Sequence, residues 1–166
     1  GHEVKAGTLP TSSASIPDMG LEVGELSVTS DWQSVSYMDG TTYNQPVVVA
    51  KPASNNEADS VIVQIRNVTS TGFEIRLKET STLSGPGGAH VAEQVSYMVM
   101  EAGSFIYQGV RMTAGIIPAQ QKTANLLQSF KFPVVSKTVP VVMASVTTAN
   151  ETEVPVNVRV RPALSP

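Results

Sequence analysis

The sequence predicts an all-β protein, an antiparallel β-sandwich. Apolar residues alternate with polar or charged ones over residues 61–66, 73–78 and 154–161, which is the period of a strand with one buried face. The 11 prolines and 12 glycines interrupt the chain at the short intervals typical of sandwich turns. No segment has the apolar spacing of an amphipathic helix, and the nearest, 120–128, is short and polar.

The alternation also predicts which side chains face the core. In the first alternating segment the inward residues are β-branched: Val61, Val63 and Ile65. Its polar residues, Gln64 and Arg66, are expected to face outward. The second segment places Phe73, Ile75 and Leu77 inward, with a charged residue after each.

A pattern recurs about 94 residues further along the chain. Residues 46–50 return as 140–144, the polar loop 56–59 as 150–153, and the strand 61–66 as 156–161. Such a recurrence indicates two copies of one unit. We predict a tail or the end of a preceding unit at 1–20, a complete sandwich at 21–103, a linker at 104–114 and about half of a second copy at 115–166. The half-unit either packs on the first unit or is completed by strands from elsewhere in the molecule or from another chain.

Composition excludes several function classes. Charged residues are 15% of the chain and the net charge is −3, so the basic charge is too low for a nucleic-acid partner. The absence of cysteine excludes disulfides, thiolate metal sites and cysteine nucleophiles. No apolar run has the length of a membrane-spanning helix. Because the sequence also lacks nucleophile-elbow, zinc-protease and phosphate-loop motifs, we predict a protein that is not an enzyme and has no cofactor.

A polar loop supplies most of the candidate binding residues: Asn55, Asn56, Glu57 and Asp59. Amides and carboxylates at adjacent loop positions can hydrogen-bond sugar hydroxyls or supply oxygens to calcium. The spacing of a calcium loop is absent, so no metal is predicted. The alternative is an exposed polar connection without a ligand.

His90 is the fifth candidate ligand-binding residue. It follows a glycine-rich loop at 84–89, and an imidazole there can donate to or accept from a sugar hydroxyl. The alternative is an exposed loop residue. The other histidine, His2, is expected to be a cloning remnant.

Trp32 and the outward arginines offer a second kind of surface. Trp32 can stack on a sugar, but Val35 and Tyr37 after it suggest that it begins a strand, which predicts burial in the core. Guanidinium groups such as Arg66 and Arg76 can bind carboxylate or sulfate groups of an acidic polysaccharide. The alternative for the arginines is pairing across strands with Glu74 or Glu79.

Residues 21–101 resemble the H-type lectins, the family of the snail agglutinins, and repeated units of secreted bacterial carbohydrate-active proteins. The shared residues are Leu21-Glu22-Val23-Gly24, Trp32, Pro46-Val47-Val48, Asn67-Val68-Thr69-Ser70-Thr71-Gly72-Phe73, Val95-Ser96-Tyr97 and Glu101. The resemblance implies a six-stranded antiparallel sandwich, commonly trimeric, that binds sugars at loops near the subunit interface. Ser60 falls near the family's sugar-binding arginine and Thr80 at its tryptophan, so the resemblance implies the fold more directly than the sugar.

These observations predict a non-catalytic, lectin-like carbohydrate-binding module of a larger secreted or cell-surface protein. The expected partners are a glycan or polysaccharide and, on the protein side, a homotrimer or a neighbouring repeat. Nucleic acid and membrane insertion are not expected. The alternative function is a structural spacer or assembly domain of an adhesin, phage fibre or surface protein that a partner strand completes.

Overall fold

The chain forms antiparallel β-structure, which confirms the predicted fold class. The computed structural model describes residues 14–16, 20–80, 90–107, 109–118, 139–147, 158 and 160. In this part of the chain the strands are β1 (Ala14–Ile16), β2 (Leu21–Val28), β3 (Gln33–Ser36), β4 (Pro46–Pro52), β5 (Val61–Arg66), β6 (Gly72–Glu79), β7 (Glu93–Glu101), β8 (Gly103–Tyr107) and β9 (Val110–Ala114). One short 3-10 turn, Met38–Gly40, follows β3.

Two antiparallel sheets enclose the core. One has the order β1-β2-β7-β4 and the other the order β3-β6-β5, while β8 and β9 form a separate hairpin. Strands β2 to β7 all lie within residues 21–103, the segment predicted as a complete unit. β1 comes from the predicted tail and pairs with β2, and most of the hairpin falls in the segment 104–114 that was predicted as a linker.

The core follows the alternation of the sequence. Phe73, Ile75 and Leu77 of β6 are buried, and Ile65 of β5 is buried against them. Full burial of each such side chain contributes about 1.5–3 kcal/mol to stability. The inward face predicted for β6 is therefore confirmed. In β5, Val61 and Val63 pack half-buried against the core, but the opposite face is also covered, since Ile62 and the predicted outward residue Gln64 are buried.

A buried carboxylate lies on β2, an inner strand of the four-stranded sheet. Glu22 is fully buried, and it accepts hydrogen bonds from the Met38 backbone N–H at 3.0 Å and from the Tyr97 hydroxyl at 3.2 Å. The Tyr97 ring reaches Glu22 because it lies across Gly24, its partner in the β2–β7 ladder. A Cβ atom on Gly24 would lie 2.5 Å from that ring, so only glycine permits this contact.

Ser145, in the segment predicted as a second copy, contacts the edge strand β4. The Ala50 backbone N–H donates to Ser145 Oγ at 3.1 Å, and the Ser145 hydroxyl donates back to the Ala50 carbonyl at 3.1 Å. Several other described residues of this segment are exposed. Val160, which the predicted repeat aligns with Ile65, is 43% exposed where Ile65 is 1% exposed, and Val141 is 93% exposed.

Raising the pH above 10 is expected to weaken the fold. Burial, with the Glu22 carboxylate as a second cause, raises the pKa of Tyr43 to about 12 and also raises the pKa of Tyr37. Above the ordinary tyrosine pKa of about 10, the unfolded chain loses protons that the folded chain retains. Stability is therefore fully present below pH 10 and is lost as the pH rises towards 12.

Urea unfolding at about pH 8 and about pH 11 measures this loss. Tyr43→Phe should show a smaller decrease of the unfolding midpoint between the two pH values than the natural chain. Equal decreases for the two proteins would contradict the assignment to Tyr43.

Candidate functional site at the loop end of the sandwich

Three of the predicted binding residues meet at one end of the sandwich. His90 is buried, with 4% exposure, so the expectation of an exposed loop histidine is wrong. Glu57 Oε2 lies 3.3 Å from His90 Nδ1. Asn56 is joined to the same cluster through Glu93, whereas Asn55 is exposed and Asp59 is half-buried in the same loop.

Glu93, at the start of β7, is the centre of this cluster, and the sequence reasoning missed it. It is 1% exposed. One carboxylate oxygen accepts a hydrogen bond from the Ser54 hydroxyl, and the other accepts one from the Asn56 backbone N–H at 2.7 Å. His90 Nε2 lies 3.2 Å from that second oxygen. The available signal was alternation, since Glu93 is in phase with the buried residues Val95, Tyr97 and Val99.

These hydrogen bonds keep Glu93 ionised. The Ser54 hydroxyl is the main cause that lowers the pKa of the Glu93 carboxyl, and burial opposes it. The Asn56 N–H and His90 act in the same direction as Ser54. The cost of burying the Glu93 charge is thereby offset by hydrogen-bond donors from the β4–β5 loop and from His90.

The opposite nitrogen of the His90 ring has no hydrogen bond. Nδ1 is buried and lies 3.3 Å from Glu57 Oε2 and 3.8 Å from Glu79 Oε1. Glu57 Oε2 also accepts the Val91 backbone N–H at 2.9 Å. In the described ranges, no group of three or more histidine and acidic side chains is arranged to hold a metal ion.

The remaining polar groups of the cluster connect the loops to each other. The Asn56 side-chain amide donates to the Ala92 carbonyl at 2.8 Å, and the His90 backbone N–H donates to Ser30 Oγ at 3.0 Å. A sugar that formed hydrogen bonds with Asn56, or donated them to Glu57, would compete with these internal bonds. Binding of a ligand by Asn55, Asn56, Glu57, Asp59 and His90 stays a prediction.

Trp32 lies on a different surface, the outer face of the three-stranded sheet. It is half-buried and does not belong to the core cluster, so the predicted core position is wrong. The reason is phase: Trp32 precedes β3 and is in step with the exposed residues Ser34 and Ser36, whereas Val35 packs against the core. Counting from Val35 would have placed Trp32 outside.

Two arginines lie over the Trp32 ring. The guanidinium carbon of Arg66 is 4.0 Å from the ring centroid and that of Arg76 is 4.6 Å away. Arg66 also forms an ion pair with Glu74 across the β5–β6 ladder, which confirms the predicted cross-strand pairing for this residue. Arg76 Nε donates to Gln64 Oε1 at 2.8 Å and thereby covers that outward side chain.

Comparison with known proteins gives one partial likeness. No protein-family model and no solved structure matches the chain. The chain is 35% identical over 101 residues to halomucin from Haloquadratum walsbyi, a match that covers 56% of this chain and 1% of halomucin. The chain thus spans a very small fraction of this relative, which is on the order of 10,000 residues long because 101 residues are 1% of it.

No helix in the described ranges is long and apolar enough to cross a membrane.

Ser54→Ala is expected to destabilise the loop end of the sandwich. The substitution removes a donor to the buried Glu93 carboxylate, and an unsatisfied buried acceptor costs about 1–3 kcal/mol. Ser34→Ala, at an exposed position of β3, is the matched control. Chemical denaturation of both variants measures the difference, and equal free energies of unfolding would show that the Ser54 bond is not needed.

Proposed function

We propose that the chain is a non-catalytic glycan-binding module of a large surface or secreted protein. The likeness to halomucin supports the surface or secreted setting. The observation that carries the glycan assignment is the pairing of Trp32 with Arg66 and Arg76 on the outer face of the three-stranded sheet. In this proposal the glycan lies across that face.

The chemistry of the face suits a sugar chain. An indole ring offers an apolar surface for the C–H groups of a sugar, while a guanidinium group beside it binds hydroxyl or carboxylate oxygens. Cation–π contact with Trp32 holds the Arg66 guanidinium in place; such a contact is worth about 0.5–1 kcal/mol at an exposed site and more where the pair is shielded from water. The hydroxyls of Ser34 and Ser36 are exposed on the neighbouring strand.

Charge favours an acidic polysaccharide. The outer positions of β6 are Glu74, Arg76 and Lys78, which alternate with its buried apolar residues. With Arg66 of β5, this part of the face carries three basic groups against one acidic group. A uronate or sulfate group could form paired hydrogen bonds with a guanidinium there.

Trp32→Ala is expected to lower retention on an acidic polysaccharide at least tenfold, because the stacking surface is removed. A glycan microarray with acidic marine and plant polysaccharides identifies the ligand, and affinity electrophoresis then measures the variants. Arg66→Ala should weaken binding as well, whereas Lys51→Ala, an exposed lysine on the other sheet, should not.

The double variant Asn56→Ala with Glu57→Ala separates this face from the loop end. Loss of binding in that variant, with normal binding by Trp32→Ala, would move the site to the loops. Failure of the natural chain to bind any glycan would overturn the proposal.

A structural repeat unit is the second candidate function. The contact between Ser145 and Ala50 favours it, because this contact joins the second copy to an edge strand of the first sheet. Exposed apolar residues in the second copy leave a surface on which a further strand could add. In this role the chain would build length or assemblies in the surface protein.

The structural role predicts association of the purified chain. Sedimentation should give a mass well above 17.5 kDa, and Val141→Asp should reduce it by placing a charge among the exposed apolar residues of this segment. Val91→Asp is the matched control, since Val91 is an exposed valine of the first unit. A monomer at every concentration would contradict this role.

A further inference from the structure

The turn between β5 and β6 carries the triplet asparagine–valine–threonine at residues 67–69. Asparagine followed two positions later by threonine or serine, with any residue except proline between them, is the acceptor sequence for N-linked glycans. Such acceptors belong on surface loops of secreted proteins. A second triplet of this kind, at 150–152, lies outside the described residues.

The turn exposes the two side chains that the acceptor sequence requires. Asn67 and Thr69 are exposed, whereas Val68 between them is half-buried and packs against the core. The backbone of Asn67 is left-handed, with a φ of 50°, a conformation that asparagine adopts more readily than most residues do. A group added to Asn67 would therefore project into solvent, and no core residue would have to move.

We propose that Asn67 is an N-glycosylation site whose second substrate is a glycan joined through phosphate to a polyprenyl lipid. In the transfer, a bond forms between Asn67 Nδ2 and C1 of the first sugar, and the bond between C1 and the phosphate oxygen breaks. The lipid phosphate leaves with the bonding electron pair, and a base of the membrane-bound transferase takes one proton from the amide. The transfer needs no oxidant or reductant.

The hydrogen bonds of the turn are compatible with the modified side chain. Asn67 Nδ2 donates to Glu74 Oε2 at 2.9 Å. A side-chain amide nitrogen carries two hydrogens, so one remains for Glu74 after the sugar has replaced the other. The Thr69 hydroxyl donates to the Gly72 carbonyl at 3.1 Å, and Thr69 is nevertheless exposed. The folded turn can therefore carry the glycan without losing these two contacts.

The modified side chain would lie beside the outer face of the three-stranded sheet. Glu74 Oε2 accepts hydrogen bonds from both Asn67 and Arg66, and the Arg66 guanidinium lies over the Trp32 ring. A glycan on Asn67 would thus add hydroxyl groups at the border of that face. The inference rests on the surface or secreted setting proposed above, because this transfer acts on exported chains, but it does not depend on glycan binding by the face.

Mass spectrometry of the full chain, recovered from the surface or the medium of the cells that produce it, tests the proposal. Trypsin cleaves after Arg66 and Arg76, so the site lies in the peptide 67–76, which contains a single asparagine. We expect this peptide to carry an added mass that is lost as sugar units on fragmentation, with its attachment at Asn67.

Variants expressed in the same cells distinguish the acceptor from its neighbours. Asn67→Gly suits the left-handed backbone and should abolish the added mass, as should Thr69→Ala. Thr69→Ser keeps the hydroxyl and should retain the added mass. Asn55→Gln, at an exposed asparagine outside any acceptor triplet, is the matched control and should also retain it.

The outcomes separate this inference from the proposed function. An exported chain whose peptide 67–76 is unmodified would overturn the inference and leave the surface or secreted setting intact. A chain found only in the cytoplasm would overturn both. Retention of the added mass in Asn67→Gly would place the sugar on a serine or threonine hydroxyl of the peptide and would also overturn the inference.

Discussion

The pairing register of β7 determines where the polar groups of the sandwich lie. β7 is an inner strand, paired with β2 on one side and with β4 on the other. Because side chains alternate along a strand, a slip of one residue would turn every inward side chain of β7 to the outer face. Its present register directs Glu93, Val95, Tyr97 and Val99 to the interior.

The two ends of β7 consequently carry two different polar clusters. Towards its C-terminal half, Tyr97 donates to the buried Glu22, and Gly24 makes room for the ring. At its N-terminal end, Glu93 gathers Ser54, Asn56 and His90. The apolar core between the clusters holds both in place, so each carboxylate is buried with its donors already positioned.

This arrangement separates the sandwich into a loop end and a sheet face with different chemistry. The loop end is acidic, and its side chains are bonded to one another around Glu93. The outer face of β3, β6 and β5 is half-exposed and basic around Trp32, the surface on which we propose that a glycan binds.

The sequence by itself determined the strands and their buried faces. The alternation in β5 and β6 predicted Ile65, Phe73, Ile75 and Leu77 as core, and the same counting applied to Val35 would have placed Trp32 outside. Counting the alternation succeeds because the two-residue period is a property of the extended backbone, so it needs no information about distant residues.

Only the tertiary structure decided which polar residues meet. Glu93 and Ser54 are 39 residues apart in the sequence, and His90 and Glu57 are 33 residues apart, so no local pattern connects them. Their convergence depends on the pairing of β4 with β7 and on the packing of one sheet over the other. Whether a loop histidine is exposed or buried is likewise set by the strands that close around it, because burial is a property of the folded neighbourhood and not of the residue type.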